Sequence, residues 1–316
     1  MHLREMPLEV YARDVLPLTA PLWSGRRTFE QYLLQTSELA RSPYGRRHYR
    51  TIGLYDGATC VASFKRYERT LRNETRRVRA IGFGAVFTPA ELRGRGYASF
   101  MLASALDSAR SEGYDIGYLF CDIRPQFYLE LGFRVLPSRR FTLRSDTLPS
   151  ERLTVSRLAE GDWAEVRRIF AQCEGKRRIA FLRPASVWDW VAMRLRHGSE
   201  HRRGDETNLV MRQRGRIVAY VLGMRDPTND AYIVDEYAFA RDGRIIAPLL
   251  RAAAGDLRRV TGWLPPGNAR EHLPRCTVRT RQSAIAMAAP LRQEGVSLVR
   301  SLDATRADFC WATDHI

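Results

Sequence analysis

Lysine is almost missing from this chain. It occurs only at Lys65 and Lys176 among 51 basic residues, so nearly all the positive charge is arginine. Such a skew reads as coding bias rather than a binding device. Acidic residues number 35, which leaves a formal net charge of +16 and a pI near 10.2. The charge is spread along the chain, not gathered in a tail, and favours anionic ligands in general. It comes with no recognised nucleic-acid motif. Cysteine is sparse too. Cys60, Cys121, Cys173, Cys276 and Cys310 are odd in number, scattered and without Cys-x-x-Cys spacing. That excludes a disulfide framework and a structural zinc site as expectations, and no metal is expected. No apolar run reaches membrane-spanning length, and the N-terminus has no signal-peptide core. The expectation is a reduced, cytoplasmic protein with no membrane partner.

What is present is a chain of 316 residues with 45% hydrophobic content, enough for two domains of ordinary size. Its most informative stretch runs from Gly84 to Ala98. Ile81 to Thr88 reads as a strand, and Pro89 ends it because proline cannot donate to a sheet ladder. A turn rich in glycine and arginine follows. A helix is then predicted from about Ala98 to Glu112, with Phe100, Met101, Leu102, Ala105, Leu106 and Ala109 on one face and Gly113 as its stop. Strand, glycine turn and helix in that order place unpaired backbone N–H groups at a helix N-terminus, where phosphate binds. Gly94 and Gly96 permit positive φ and close approach, while Arg93 and Arg95 add charge. Each phosphate at such a terminus gains roughly 0.3–1 kcal/mol from the helix dipole when exposed.

Arg93-Gly94-Arg95-Gly96-Tyr97-Ala98 resembles the acyl-CoA loop of the GNAT superfamily of N-acetyltransferases, Arg/Gln-x-x-Gly-x-Gly/Ala, at every fixed position. Three features strengthen the resemblance. Tyr114 to Cys121 forms a second strand-like run after one helix, which gives a β-α-β unit of roughly 40 residues. Phe127, Tyr128, Gly132 and Phe133 match the family's FYxxxGF signature. Thr51 to Tyr55 and Thr59 to Tyr67 flank Asp56-Gly57, a type I′ hairpin signal. The resemblance covers most of residues 1–145.

Ser145 to Ser150 is polar, contains proline and separates two patterned regions. The division predicted is 1–146, a catalytic acyl-CoA-binding domain, and 151–316, a degenerate GNAT-like domain that is structural and walls the substrate cleft. In the second region the order restarts. Leu153 to Leu158 reads as a strand, Asp162 as the cap of a helix to about Cys173, and Ala185 to Arg196 as a helix. Asn208 to Met224 reads as a hairpin around Gln213-Arg214-Gly215, Ala231 to Ala240 as a strand, and Arg244 to Val260 as a helix. The critical turn, Arg241 to Ala247, has lost its glycine pair and places Asp242 where phosphates would sit. The fold class expected is α/β (α+β): two tandem GNAT-like domains, each a mixed, mostly antiparallel sheet flanked by helices. This resembles the enhanced-intracellular-survival (Eis-like) acetyltransferases without their sterol-carrier-like third domain. Mycothiol synthase shares the tandem architecture, but its active domain is the C-terminal one, so its site is not carried over.

The resemblance implies acetyl-CoA as co-substrate and direct acyl transfer to a primary amine, small-molecule or peptidyl. Tyr128 becomes the general acid for the CoA thiolate; a phenol with a reference pKa of about 10 stays protonated at neutral pH. Backbone groups of Val86, Phe87 and Thr88 are expected along the pantetheine. Arg93, Gly94, Arg95, Gly96, Tyr97, Ala98 and Ser99 are expected at the pyrophosphate. By the same resemblance, the carboxylate of Ile316 enters the N-terminal site as base or substrate anchor; Asp122 is the alternative. The apolar, aromatic stretch from Asp308 to Ile316 reads as an ordered last strand. Two other functions remain open: a non-catalytic acyl-CoA-binding scaffold, and an aminoacyl-tRNA-dependent ligase, a class that generally lacks the CoA loop. A homo-oligomer is compatible with the sequence.

Overall fold

The computed structural model describes residues 1–201, 204–267, 272–273 and 275–316. The first strand is β1 (His2–Glu5), followed by four helices, α1 (Leu8–Asp14), α2 (Leu16–Trp23), α3 (Phe29–Arg41) and α4 (Pro43–His48). A long hairpin comes next, β2 (Tyr49–Asp56) and β3 (Thr59–Asn73), then β4 (Arg76–Phe87), α5 (Tyr97–Ser111) and β5 (Ile116–Cys121). After these come α6 (Pro125–Glu130), β6 (Arg134–Val135) and β7 (Arg139–Arg144). The order then restarts with β8 (Val155–Arg157), α7 (Trp163–Gly175), β9 (Ile179–Phe181), α8 (Ala185–His201) and β10 (Asp205–Glu206). β11 (Leu209–Gln213), β12 (Arg216–Asp226), β13 (Ala231–Phe239), α9 (Ile246–Ala254) and β14 (Arg259–Trp263) repeat the strand-helix-strand unit. β15 (Thr277–Thr280), β16 (Ile285–Pro290) and α10 (Gln293–Thr305) complete the fold.

Two mixed sheets of eight strands result, flanked by helices, as two GNAT-like domains require. The first runs β1-β2-β3-β4-β5-β16-β6, with β9 added beside β3. The second runs β15-β7-β14-β13-β12-β11-β8, with β10 added beside β12. The sheets therefore exchange strands. β16, from the C-terminal half, is inserted between β5 and β6 and pairs antiparallel with β5 from Ile285↔Cys121 to Pro290↔Ile116. β7, from the N-terminal half, pairs with β14 and β15. The chain halves 1–146 and 151–316 thus do not coincide with the two sheets. The crossing is tied at Ser138, whose hydroxyl accepts from Ala286 N–H at 2.8 Å and whose carbonyl accepts from Arg281 N–H at 2.8 Å. β16 fits an interior position because Ala286, Met287 and Ala288 are all apolar and buried, so both sheet faces are covered there.

Several local expectations are corrected. The β2–β3 turn is Gly57-Ala58, with positive φ at Gly57 alone, the pattern of a II′ turn. The I′ pattern occurs instead at Arg214-Gly215, where φ is 50° and 77°. Phe100, placed on the buried face of α5, is 44% exposed, while Met101, Leu102, Ala105, Leu106 and Ala109 form the packed face. Asp162 does not cap α7; its carboxylate accepts from Ala159 N–H and pairs with Arg212. The helix predicted over Arg244–Val260 ends at Ala254, where Gly255 turns with φ 59°, and Val260 lies in β14. Residues Asp308–Ile316 are ordered and largely buried, yet they form a 3-10 turn at Ala312–Asp314 rather than a strand.

Candidate acyl-transfer site

The site begins with a defect in β4. Ser63 of β3 pairs with Phe87 and Lys65 with Gly84, so Ala85 and Val86 together stand opposite Phe64. This is a β-bulge, and Ala85 takes φ 47° to make it. On its other edge β4 runs parallel to β5 only from Ala80↔Ile116 to Gly82↔Tyr118. Beyond that point β5 continues against β16, and the backbone edge of β4 from Phe83 to Phe87 faces an opening wedge. Exposed ladder groups on β4 suit an extended amide-bearing ligand laid along the strand.

The wide end of the wedge meets the glycine turn. Gly94 and Gly96 have φ 78° and 80°, and a Cβ at either would meet no atom within 4 Å, so the turn is open to a ligand. Gly96 caps α5 in the left-handed conformation with no side-chain cap, and the first intrahelical bond is Phe100 N–H to Gly96 O at 3.0 Å. The N–H groups of Tyr97, Ala98 and Ser99 are left as an anion cradle. Arg93 Nε donates to Thr88 O at 3.2 Å and Arg95 Nη2 to Glu91 O at 3.3 Å, so both arginines also staple the turn to its own approach. These residues fit a pyrophosphate-bearing cofactor such as CoA. The corresponding turn of the second sheet is closed. Asp242 accepts from Arg244 N–H at 3.0 Å, and the His272 ring lies 2.2 Å from where a Gly243 Cβ would be. The Trp311 ring packs 5.0 Å from Tyr237 on β13.

Tyr128 lies on α6, half-buried, edge-on to Phe127 at 4.9 Å and to Phe133 at 5.9 Å. Burial, and then the neighbouring Cys121 and Asp122, push its hydroxyl up to about 12. It therefore keeps its proton throughout the neutral range. Gly132 turns the chain with φ 85°, and Phe133 N–H returns to Tyr128 O at 3.0 Å. Asp122 is exposed, and its Oδ1 accepts from Ala284 N–H at 2.8 Å, so it ties the end of β5 to the loop before β16.

The C-terminal residues enter the same region. Asp314, nearly fully buried, accepts from Arg69 at 3.1 Å and from Arg183 Nε at 3.0 Å. Arg183 also donates to Glu236 at 2.7 Å and to Thr313 Oγ1 at 2.8 Å, and Tyr220 donates to Glu236 at 2.6 Å. Burial alone would raise the Asp314 carboxyl, but the guanidiniums of Arg183 and Arg69 outweigh it and hold it below the usual carboxylate range. His315 is held by Arg194 through its carbonyl and packs between Phe120 and Trp263, 5.0 and 5.8 Å away. Ile316 then reaches β4. Its Cδ1 lies 2.5 Å from where a Gly82 Cβ would be, and its carboxyl carbon 3.6 Å from the corresponding point at Gly84. A Cβ at Gly82 would collide with the Ile316 side chain and the Tyr118 ring, and one at Gly84 with the Tyr67 ring at 2.9 Å, while the Ile316 carboxyl carbon sits at ordinary contact distance from Gly84.

Around Ile316 opens a cleft of about 730 Å³ that includes Ala85 of the bulge and Asp122. Its walls are aromatic: Tyr11, Trp23, Tyr32, Tyr49, Tyr67 and Trp263. Lys65, Arg27 and Arg194 also face it. The stretch from Val86 to Ser99 and the cleft around Ile316 thus meet at one bulge. Sequence reading missed the walls contributed by α1 to α3, the Arg69–Asp314–Arg183 network and Lys65. Only Lys65 carried a signal, as one of two lysines in an arginine-rich chain.

In the first sheet a bulged strand splays from its parallel neighbour beside an open helix terminus; in the second, β13 bulges at Asp235 and leaves β14 after Val234 beside a closed turn, and the two together define a tandem GNAT fold. Residues 25–136 match the family described as acetyltransferase (GNAT) domain, and the chain carries a GNAT acetyltransferase domain there. Among solved structures it is similar to a conserved protein of unknown function from Enterococcus faecalis, described as a probable N-acyltransferase. That match has a TM-score of 0.73 at 16% identity, over 92% of this chain and 72% of the other. It is similar to Eis1 from Mycobacterium abscessus, with TM-score 0.66 and 12% identity over 96% of this chain and 76% of that one. A tandem GNAT protein from the clavulanic acid biosynthesis pathway matches with TM-score 0.53 and 12% identity over 92% and 98%. At these identities the likeness is one of fold. No curated protein matches the sequence. Among the described residues no helix is long and apolar enough to cross a membrane, and no cluster of three metal-ligating side chains occurs.

Proposed function

We propose that the chain is an acetyl-CoA-dependent N-acetyltransferase that moves the acetyl group directly to a primary amine, small or peptidyl. The observation that carries the reading is the meeting, at the Ala85 bulge, of an open helix N-terminus on one side and an aromatic-walled cleft on the other. Amides from Gly94 to Ser99 hold the pyrophosphate, helped by Arg93 and Arg95. Val86, Phe87 and Thr88 pair with the pantetheine and aim one N–H at the developing oxyanion. The amine nitrogen attacks the thioester carbon as the carbon–sulfur bond breaks. Tyr128 gives its hydroxyl proton to the leaving sulfur, and the Ile316 carboxylate takes the proton lost by the amine. Ile316 is preferred to Asp122 as proton acceptor because Asp122 is engaged with Ala284 N–H. The protein is proposed to work in the cytoplasm, without a metal.

The test is thiol release from acetyl-CoA with polyamines, aminoglycosides, amino acids and lysine peptides as acceptors, repeated with longer acyl-CoAs. Turnover with at least one amine is expected. Tight CoA binding with no turnover on any amine would instead make the protein an acyl-CoA-binding scaffold.

A further inference from the structure

Lys65 sits on β3 with only 5% of its surface exposed, opposite Gly84 on β4 and Thr51 on β2. Side chains two apart on a strand share a face. The Tyr67 ring would touch a Cβ on Gly84, so Lys65, Tyr67, Gly84 and the incoming Ile316 all occupy the cleft side of the sheet. Lys65 Nζ donates to Thr51 Oγ1 at 2.6 Å and lies 3.2 Å from the centre of the Tyr11 ring and 5.3 Å from that of Tyr49. None of the ion pairs among the described residues involves it. An ammonium has three donors, and Thr51 takes one. A buried ammonium without a counterion is costly, and such sites either neutralise the group or take an anion.

We infer that Lys65 is the anchor for a carboxylate on the acceptor, so that the acceptor is an aryl-bearing amine that also carries a carboxylate, as an aromatic amino acid does. The inference rests on the acyl-transfer reading of the cleft. The amine is placed at the bulge beside Ile316, the carboxylate at Lys65, and the ring against the tyrosine and tryptophan walls. The groups facing Lys65 leave that position to a ligand anion. Tyr11 of α1, Tyr32 of α3, and Tyr49 and Tyr67 of the hairpin are all kept protonated by burial. Arg27, between α2 and α3, and Arg194 of α8 add positive charge. The Ile316 carboxyl group is the acidic group on the β4 side, with Asp122 and Asp235 elsewhere in the cleft lining. Burial also lowers the Lys65 amine well below its ordinary range. A bound carboxylate would reverse this, and the amine would take up one proton from solvent as the ligand enters.

The experiment titrates 3-phenylpropionate, a carboxylate with no amine, into CoA-saturated protein by calorimetry in two buffers of different ionisation heat. Expected are saturable binding, uptake of about one proton, and affinity that falls as the pH rises. Lys65→Met should weaken binding about tenfold or more and abolish the proton uptake while keeping CoA binding. No saturable binding, affinity independent of pH, or a Met variant that binds as well would overturn the anchor. The proton count and pH profile are read on the unmutated protein, so they decide the matter even where the variant misfolds. Phenylalanine and phenethylamine, compared as acceptors, separate the two readings. Acetylation of the amine without preference for its carboxylated partner overturns the anchor and leaves acyl transfer standing. Lys65-dependent binding of the carboxylate with no acetylation of any amine does the reverse.

Discussion

At the residue scale, Tyr128 is where the motif and the physics converge. A phenol pushed up to about 12 holds its proton at every pH at which the protein would work, so its hydroxyl can give that proton to a leaving thiolate. Phe127 and Phe133 pack edge-on against it, so the signature's aromatic residues share in the burial that raises it. Tyr128→Phe keeps that packing and removes only the hydroxyl. It should lower kcat by roughly 10²-fold with acetyl-CoA, with KM for the donor changed little. Steady-state kinetics read both numbers, and unchanged turnover would remove Tyr128 from the mechanism. The same position predicts that no alkaline loss of rate below about pH 11 belongs to Tyr128.

At the element scale, the glycine turn was legible because its chemistry is local. Two glycines at positive φ and a helix start are decided by residues 93 to 99 themselves, and the FYxxxGF run announces its turn through Gly132 in the same way. The bulge was not legible. Ala85 adopts φ 47° though it is neither glycine nor asparagine, and Gly84 beside it answers to the Tyr67 ring, so the constraint comes from β3 pairing on both sides of the defect. Strand partners were hidden for a related reason. β16 is a short apolar run that could pair with many edges, and its actual partners, β5 and β6, lie far back in the sequence. The aromatic cleft was hidden as well, since α1 to α3 contribute to it from outside any motif. Gly96→Val tests the turn as an element. Its Cβ would meet nothing, so the damage is confined to forcing a β-branched residue to φ 80°, which costs about 1–2 kcal/mol and reorients the first helical amides. CoA affinity measured by calorimetry should fall at least about tenfold with the protein still folded. An unchanged affinity would move the pyrophosphate elsewhere.

At the scale of the whole molecule, the exchange of β7 and β16 makes each sheet depend on both halves of the chain, and one buried ionic network joins them again at the site. Arg69 belongs to β3 of the first sheet, Glu236 to β13 of the second, and Arg183 and Asp314 lie between them. These charges are nearly fully buried, so no solvent screening weakens them, and removing one leaves the others uncompensated. Asp314→Asn should therefore cost about 3–5 kcal/mol in denaturant unfolding. It should also loosen the tail that sets Ile316 against Gly84, so acetyl transfer falls more than CoA binding does. The pH dependence follows from the sign of the shift. Asp314 is held below its unfolded value, so its contribution is complete above the unfolded carboxylate pKa of about 3.9 and is lost as the pH falls through the lower folded value. Unfolding midpoints measured between about pH 6 and pH 2 should thus drop less steeply in Asp314→Asn than in the unmutated protein. Parallel profiles would mean that the network does not hold the two sheets together.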